Sequence, residues 1–231
     1  LTTIPKYNTT LEVDRTFKEI NVGLTNKWFE RGDLELKVTT DPSVNGSTNR
    51  KGRISLKQYR LDYVMSALGK IGSRRSFDIT ADEADAMATF WHEITHNRNK
   101  TTTFAKDRTA ANDYKELANE FVARKTLTEF YSTLGCGKTP HPQFIDNRSS
   151  TGYNKMVTNY DFVINVLGLD KDKVLSTVKQ KLFEGSYKEQ QQGLIDGLVA
   201  GGIKKTDGSK VKTSELKEVV AKCKDKKSED E

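Results

Sequence analysis

Cysteine, proline, histidine and long apolar runs are all scarce in this chain of 231 residues. Its two cysteines, Cys136 and Cys223, are too few for a disulfide framework, and a reducing compartment suits them. No apolar run approaches the roughly 18 residues that a membrane helix needs. The longest, Phe162 to Leu169, is interrupted by Asn165 and Gly168, so no membrane span is expected. Apolar residues make up 35% and charged residues 30%, a polar balance for a folded domain, but 9% aromatics argue against wholesale disorder. Collagen, coiled coil and disulfide-dense scaffolds are excluded on the same grounds.

The length suits one or two domains and is enough to bury a core without covalent staples. Lys and Arg exceed Asp and Glu by 38 to 32, a net charge of +6. A basic balance can serve nucleic acid. Here the signs are interspersed and no Arg-rich stripe with interleaved aromatics occurs, so a solvated mixed surface is expected and nucleic acid is an unlikely partner. Asn8, Asn45, Asn99 and Asn147 each open an N-x-S/T triplet, which carries no meaning without a secretory context. The chain opens at Leu1 with no signal-peptide pattern, and a cytoplasmic or phage-associated location is the expectation.

Residues 1 to about 75 read as β-rich and irregular. Leu34 to Thr40 alternates at period two, and Arg53 to Leu56 is a second strand candidate. The two would pair as a hairpin across a loop marked by Pro42, Asn45-Gly46 and Asn49. A helix follows over 60–71. The next is the best marked in the chain: Thr80 and Glu83 fit a capping box, and Ala84, Met87, Ala88, Trp91 and Thr95 share a face, which predicts a helix over 81–97. Residues 97–109 read as a polar loop. A helix over 110–134 carries the stripe Tyr114, Leu117, Ala118, Phe121, Val122 and Phe130 and ends at Gly135-Cys136-Gly137. After a long loop over 138–155, helices are expected at 156–168, 171–184, 187–200 and 213–222. The expected division is a domain over 1–200 and a charged, weakly ordered tail over 201–231, with at most a small helix in it. No internal repeat is evident.

Inside helix 81–97 lies Trp91-His92-Glu93-Ile94-Thr95-His96, an H-E-x-x-H pattern. His92 and His96, four apart on a helix, project from one face about one turn apart. Two imidazole nitrogens so placed can share one Zn²⁺ at roughly 2.0–2.1 Å each. Glu93 lies about 100° round the helix, where it can act as base toward a water rather than as a ligand. Two of the three histidines in the chain stand in this motif, and Ile94, Thr95 and Asn97 around them are uncharged. A catalytic zinc site wants a third protein ligand and an open position. The metzincin extension is excluded, because Asn99 and Lys100, then Thr103 and its neighbours, stand where it has Gly and His. The third ligand is then a glutamate of helix 110–134. Glu120 beside the apolar stripe is preferred slightly, and Glu116 is the alternative. Asp85 is a candidate to orient a ligand imidazole, or else a first-turn charge favouring the helix N-terminus.

On these residues the chain resembles the gluzincins, zinc peptidases with H-E-x-x-H and a downstream glutamate ligand. Thr89 suits the position upstream of the motif, whereas Arg98 departs from the usual apolar residue. The spacing of Glu116 from His96 is like that of thermolysin-like enzymes, and Asn119-Glu120-Phe121-Val122-Ala123 is similar to their ligand helix. Ala118 to Ala123 is also similar to the Ala-Asn-x-Phe-Ala run of phage-repressor-cleaving and radiation-response metallopeptidases, whose ligand glutamate stands where this chain has Lys115. Together with Asp146-Asn147-Arg148 and Gly152-Tyr153-Asn154, the chain looks like metallopeptidase domains attached to phage head proteins of gut bacteria.

The resemblance implies an α+β, zincin-like fold: a small N-terminal twisted sheet with an edge strand along a cleft, the active-site helix beneath it, and a helical C-terminal lobe. It implies Zn²⁺ as cofactor, a peptide or protein substrate added in extended form to the sheet edge, and a phage virion or host protein as possible partner. An oxyanion-stabilising donor is also needed; Tyr160 and His141 are the leading candidates, with Tyr153 and Arg148 behind them. Cys136 and His141 alone do not make a second metal site. The expected activity is peptide hydrolysis with Glu93 as general base. The competing readings are a structural or interaction module with a non-catalytic metal site, against which the intact Glu93 argues, and a nucleic-acid binder, for which no motif is present.

Overall fold

A helix forms where local signals agree, and the best example here is the one carrying the histidines. The computed structural model describes residues 36–49, 53–99 and 110–224. In it, α1 runs Gln58–Gly72 and α2 runs Ala81–Asn97. The start of α2 is the expected capping box. The Glu83 amide donates to Thr80 Oγ1 at 3.3 Å, and the Thr80 amide donates to Glu83 Oε2 at 2.7 Å. Glu83 does more than cap. Its carboxylate also accepts from Ser66 Oγ at 2.6 Å and from Lys70 Nζ at 2.7 Å, so the N-terminus of α2 is tied to α1. Burial alone would raise the Glu83 carboxyl, but Lys70, Ser66 and the Thr80 amide outweigh it and hold it below its ordinary value of 4.5.

The sheet has three short strands, β1 (Leu36–Val38), β2 (Gly46–Thr48) and β3 (Ile54–Leu56), in the order β1-β3-β2. The hairpin expected between the first and last of these does not form. β1 pairs with β3 in parallel, Leu36 opposite Ile54, while β2 pairs with β3 antiparallel, Gly46 opposite Leu56. The segment expected to be all loop thus holds the strand that actually turns back on β3. Asn45-Gly46 reads locally as a turn, but Gly46 is in β2 because the strand must come close to its neighbours there: a Cβ would stand 2.9 Å from Leu56 Cδ2.

The helix expected over 110–134 is two helices, α3 (Ala110–Lys125) and α4 (Leu127–Thr133). Thr126 interrupts it at φ −105°, ψ 8°. Its hydroxyl accepts the Trp91 indole N–H at 3.0 Å. The remaining helices are α5 (Asn154–Val166), α6 (Lys171–Glu184), α7 (Gln190–Ala200) and α8 (Thr213–Cys223), each close to its expected bounds. The β-rich reading of residues 1–35 and the loop over 100–109 lie outside the described residues. The whole is α-rich with a small sheet, an α+β composition.

The chain divides into two compact units. One contains the described residues up to 99 with 123–145, the other 110–122 with 146–224. α3 is continuous through both, its last turn belonging to the first unit. In the first unit, Ile54 and Leu56 of β3 share a core with Leu61, Val64 and Leu68 of α1, Met87, Phe90, Trp91 and Ile94 of α2, and Phe130 of α4. Trp91 stacks on Phe130 with ring centroids 4.6 Å apart. In the second unit, Leu117 and Phe121 join Met156, Val157 and Tyr160 of α5, Val174 and Val178 of α6, and Leu194 and Leu198 of α7. The small helix allowed for after Gly201 is α8, and it is firmly held, with Leu216, Val220 and Cys223 buried in this same core. Burial pushes the Cys223 thiol up to about 12.

α6 and α7 approach closely because glycines line the contact. A Cβ on Gly193 would stand 2.8 Å from Lys181 Cβ, and one on Gly197 2.5 Å from Val178 Cγ2. Gly197→Ala is therefore expected to destabilise the chain by about 1–3 kcal/mol through overpacking, read as a lowered unfolding midpoint. Glu83→Gln is expected to cost about 1–3 kcal/mol near neutral pH by breaking a charged hydrogen-bond cluster. Because the folded Glu83 carboxyl sits below 4.5, that difference is full above this value and fades as the pH falls through the folded one. Denaturant titrations of both proteins across pH check it.

Candidate metal centre

Polar side chains are tolerated on a buried helix only where they have partners. α2 is buried all round from Ala86 to Asn97, not on one stripe alone. His92, Glu93 and His96 are all enclosed. The two imidazoles meet edge to face with their Nε2 atoms 3.0 Å apart. Facing ring nitrogens at that distance must share either one proton or one cation, since two bare lone pairs repel. Two nitrogens bound to a common tetrahedral ion at 2.0–2.1 Å would stand about 3.3 Å apart, so only a few tenths of an ångström separate the pair from that arrangement.

Among the described residues, His92, His96 and Glu116 form a group whose ligand atoms all lie within 4.8 Å of one another, and all three are buried. Glu116 is carried on α3, the continuous helix that ends beside Thr126 and its bond to Trp91. Two neutral nitrogens and one carboxylate are a donor set that can hold a divalent transition ion.

Glu120, slightly preferred from the sequence, has another partner. Its Oε1 lies 3.3 Å from Arg148 Nη1, and both side chains are buried. A buried guanidinium beside a buried carboxylate offsets the cost of burying either charge. Arg148 stands 28 residues further along the chain. Arg148 itself is thereby an ion-pair partner; its amide also donates to Asn154 Oδ1 at 2.8 Å, just where α5 begins.

The sequence-derived oxyanion candidates each have partners of their own. Tyr160 is fully buried in the second core, edge-on to Phe121, and its hydroxyl donates to the Leu194 carbonyl at 2.8 Å. Burial raises its phenol well above the ordinary range, so it is a core tyrosine with its proton committed. His141, at φ 48°, brings Nε2 to 2.9 Å from the Ile79 carbonyl just before α2 begins. His92 lies eleven residues into that helix from Ala81, about 16 Å away at 1.5 Å per residue. His141 is thus a loop anchor at the far end of α2. Tyr153 stands at the N-cap position of α5, and its amide donates to Thr151 Oγ1. Cys136 is buried in the first core.

Asp85 is not an imidazole's second partner. It stands seven residues before His92, about 10 Å along the helix, and accepts from Arg60 Nη1 at 2.7 Å. Arg60 also donates to Thr89 Oγ1 at 3.0 Å. Sequence reasoning missed two residues that touch Glu93. Thr48 Oγ1 lies 2.7 Å from Glu93 Oε2, and Gly46 leaves no Cβ where one would stand 3.0 Å from Oε1. Only the Asn45-Gly46 pair signalled anything there, and it signalled a turn.

Glu116→Gln is expected to lower zinc binding by ten- to a hundredfold or more, and His96→Ala to abolish it. Glu120→Gln is expected to leave the zinc stoichiometry intact while lowering the unfolding midpoint, because it strands the Arg148 charge. Metal content after dialysis against a zinc buffer, with thermal unfolding in parallel, separates the two glutamates. No protein-family model matches the chain, and neither a curated protein nor a solved structure matches it.

Proposed function

We propose that the chain is a zinc-dependent peptidase of gluzincin type, with His92, His96 and Glu116 as the metal ligands and Glu93 as general base. The observation that carries the reading is the placement of Glu93. It is buried next to the histidine pair on α2, yet it stands outside the metal-holding group and is held by a hydroxyl from β2. A purely structural metal site has no use for such a carboxylate, and burying one is costly unless it serves.

A zinc ion, when bound, supplies Lewis acidity toward a carbonyl and acidifies a water. The rest falls to the chain's own groups. Glu93 takes the proton of the attacking water on its carboxylate and delivers it to the leaving amine. The burial of α2 keeps bulk water from competing with that transfer. Among the described residues β2 is an edge of the sheet, with β3 on its one paired side. An extended peptide adds to the opposite side through its backbone groups, which brings the scissile bond past the helix on which Glu93 sits. Endopeptidase action on a peptide or protein is the form this geometry suits best.

The decisive comparison is wild type against Glu93→Gln, both loaded with zinc, on an unstructured protein substrate. The variant is expected to bind one zinc per chain as the wild type does and to lose about 10²–10⁴-fold in rate, the contribution typical of a general base. Cleavage at the wild-type rate by Glu93→Gln, or zinc-loaded wild type that cleaves nothing, overturns the reading.

A further inference from the structure

Within the first unit, β2 and α2 meet at a single carboxylate. Thr48 Oγ1 lies 2.7 Å from Glu93 Oε2 and 2.9 Å from the Glu93 carbonyl oxygen. A hydroxyl carries one proton and donates it to one acceptor at a time. The shorter contact has the length of a charge-assisted bond to a carboxylate, and the carbonyl is the second acceptor that keeps the hydroxyl on the helix. Two residues earlier, on the same face of β2, Gly46 lies against the other side of the same group. A Cβ on it would stand 3.0 Å from Glu93 Oε1 and 3.1 Å from Glu93 Cγ.

A glutamate has three side-chain torsions, and the last is broad and roughly two-fold. A base that must collect a proton from one water and pass it to one nitrogen cannot leave that torsion unset, because misplacement by about 1 Å can cost a hundredfold in rate. We infer that Thr48 is a positioning residue for Glu93: its hydroxyl fixes the plane of the carboxylate by holding Oε2, and Gly46 lets β2 come close enough for it to do so. The inference rests on the peptidase reading of the same site. The Oε2 atom is then the anchored oxygen, and Oε1, on the Gly46 side, is the one that carries the proton between water and leaving group. No residue near the motif in sequence could supply this contact; Thr48 is 45 positions from Glu93.

The test uses Thr48→Val, which keeps the shape and removes the donor, and Thr48→Ser, which keeps the donor and removes the methyl. Both are measured on the zinc-loaded protein beside Glu93→Gln. Thr48→Val is expected to lower kcat about 10- to 100-fold, the worth of one hydrogen bond to a charged group, with KM and zinc stoichiometry unchanged. Thr48→Ser is expected to restore most of kcat, a rescue that a packing role for the threonine would not produce. A Thr48→Val protein with wild-type kcat, or a Thr48→Ser protein as slow as Thr48→Val, overturns the inference. If Glu93→Gln is dead while Thr48→Val is fully active, this inference alone falls. If Glu93→Gln is fully active, or the wild type cleaves nothing, the peptidase reading falls and takes it along.

Discussion

The first unit depends on a helix that has no solvent side where its histidines lie. A surface helix can point its histidines and glutamates at water; α2 cannot, because it is enclosed from Ala86 to Asn97. Each polar group there must be matched by the surrounding chain. The matches come from different elements: α1 through Arg60 toward Asp85 and Thr89, β2 through Thr48 toward Glu93, and the residue between α3 and α4 through Thr126 toward Trp91. The apolar core of the first unit and this set of polar contacts are two descriptions of one packing problem.

α3 shows the same logic with carboxylates. Glu116 and Glu120 are one helical turn apart and both buried. Left alone, two buried carboxylates would repel and one would protonate. Here one is neutralised by Arg148, and the other is grouped with the imidazoles. A cation held there, with the guanidinium a turn away, would divide the negative charge of the helix between them.

The boundaries of α2 were readable because a capping box and its periodicity are local, involving residues three or four apart. α6 was readable for the same reason, with Asp170 accepting from the Lys173 amide at its start. What escaped was set at long range. The parallel pairing of Leu36 with Ile54 and the strand at Gly46–Thr48 depend on partners that no short window contains. The break at Thr126 is coupled to an indole 35 positions back, and Glu120 meets a guanidinium 28 positions ahead. Tyr160 and His141 were plausible by residue type and loop proximity, but a hydroxyl committed to Leu194 and an imidazole committed to Ile79 cannot be recognised without the fold.

The alternation of a β-strand has a consequence for how such a site can change over time. Gly46 and Thr48 lie on one face of β2, against the helix, while Ser47 between them points away and is exposed. Adjacent codons are thus under different constraints: the outward position is free of the contacts with Glu93 that its two neighbours make. Variation at Ser47 can therefore alter the exposed side of the strand while the side that meets Glu93 stays as it is.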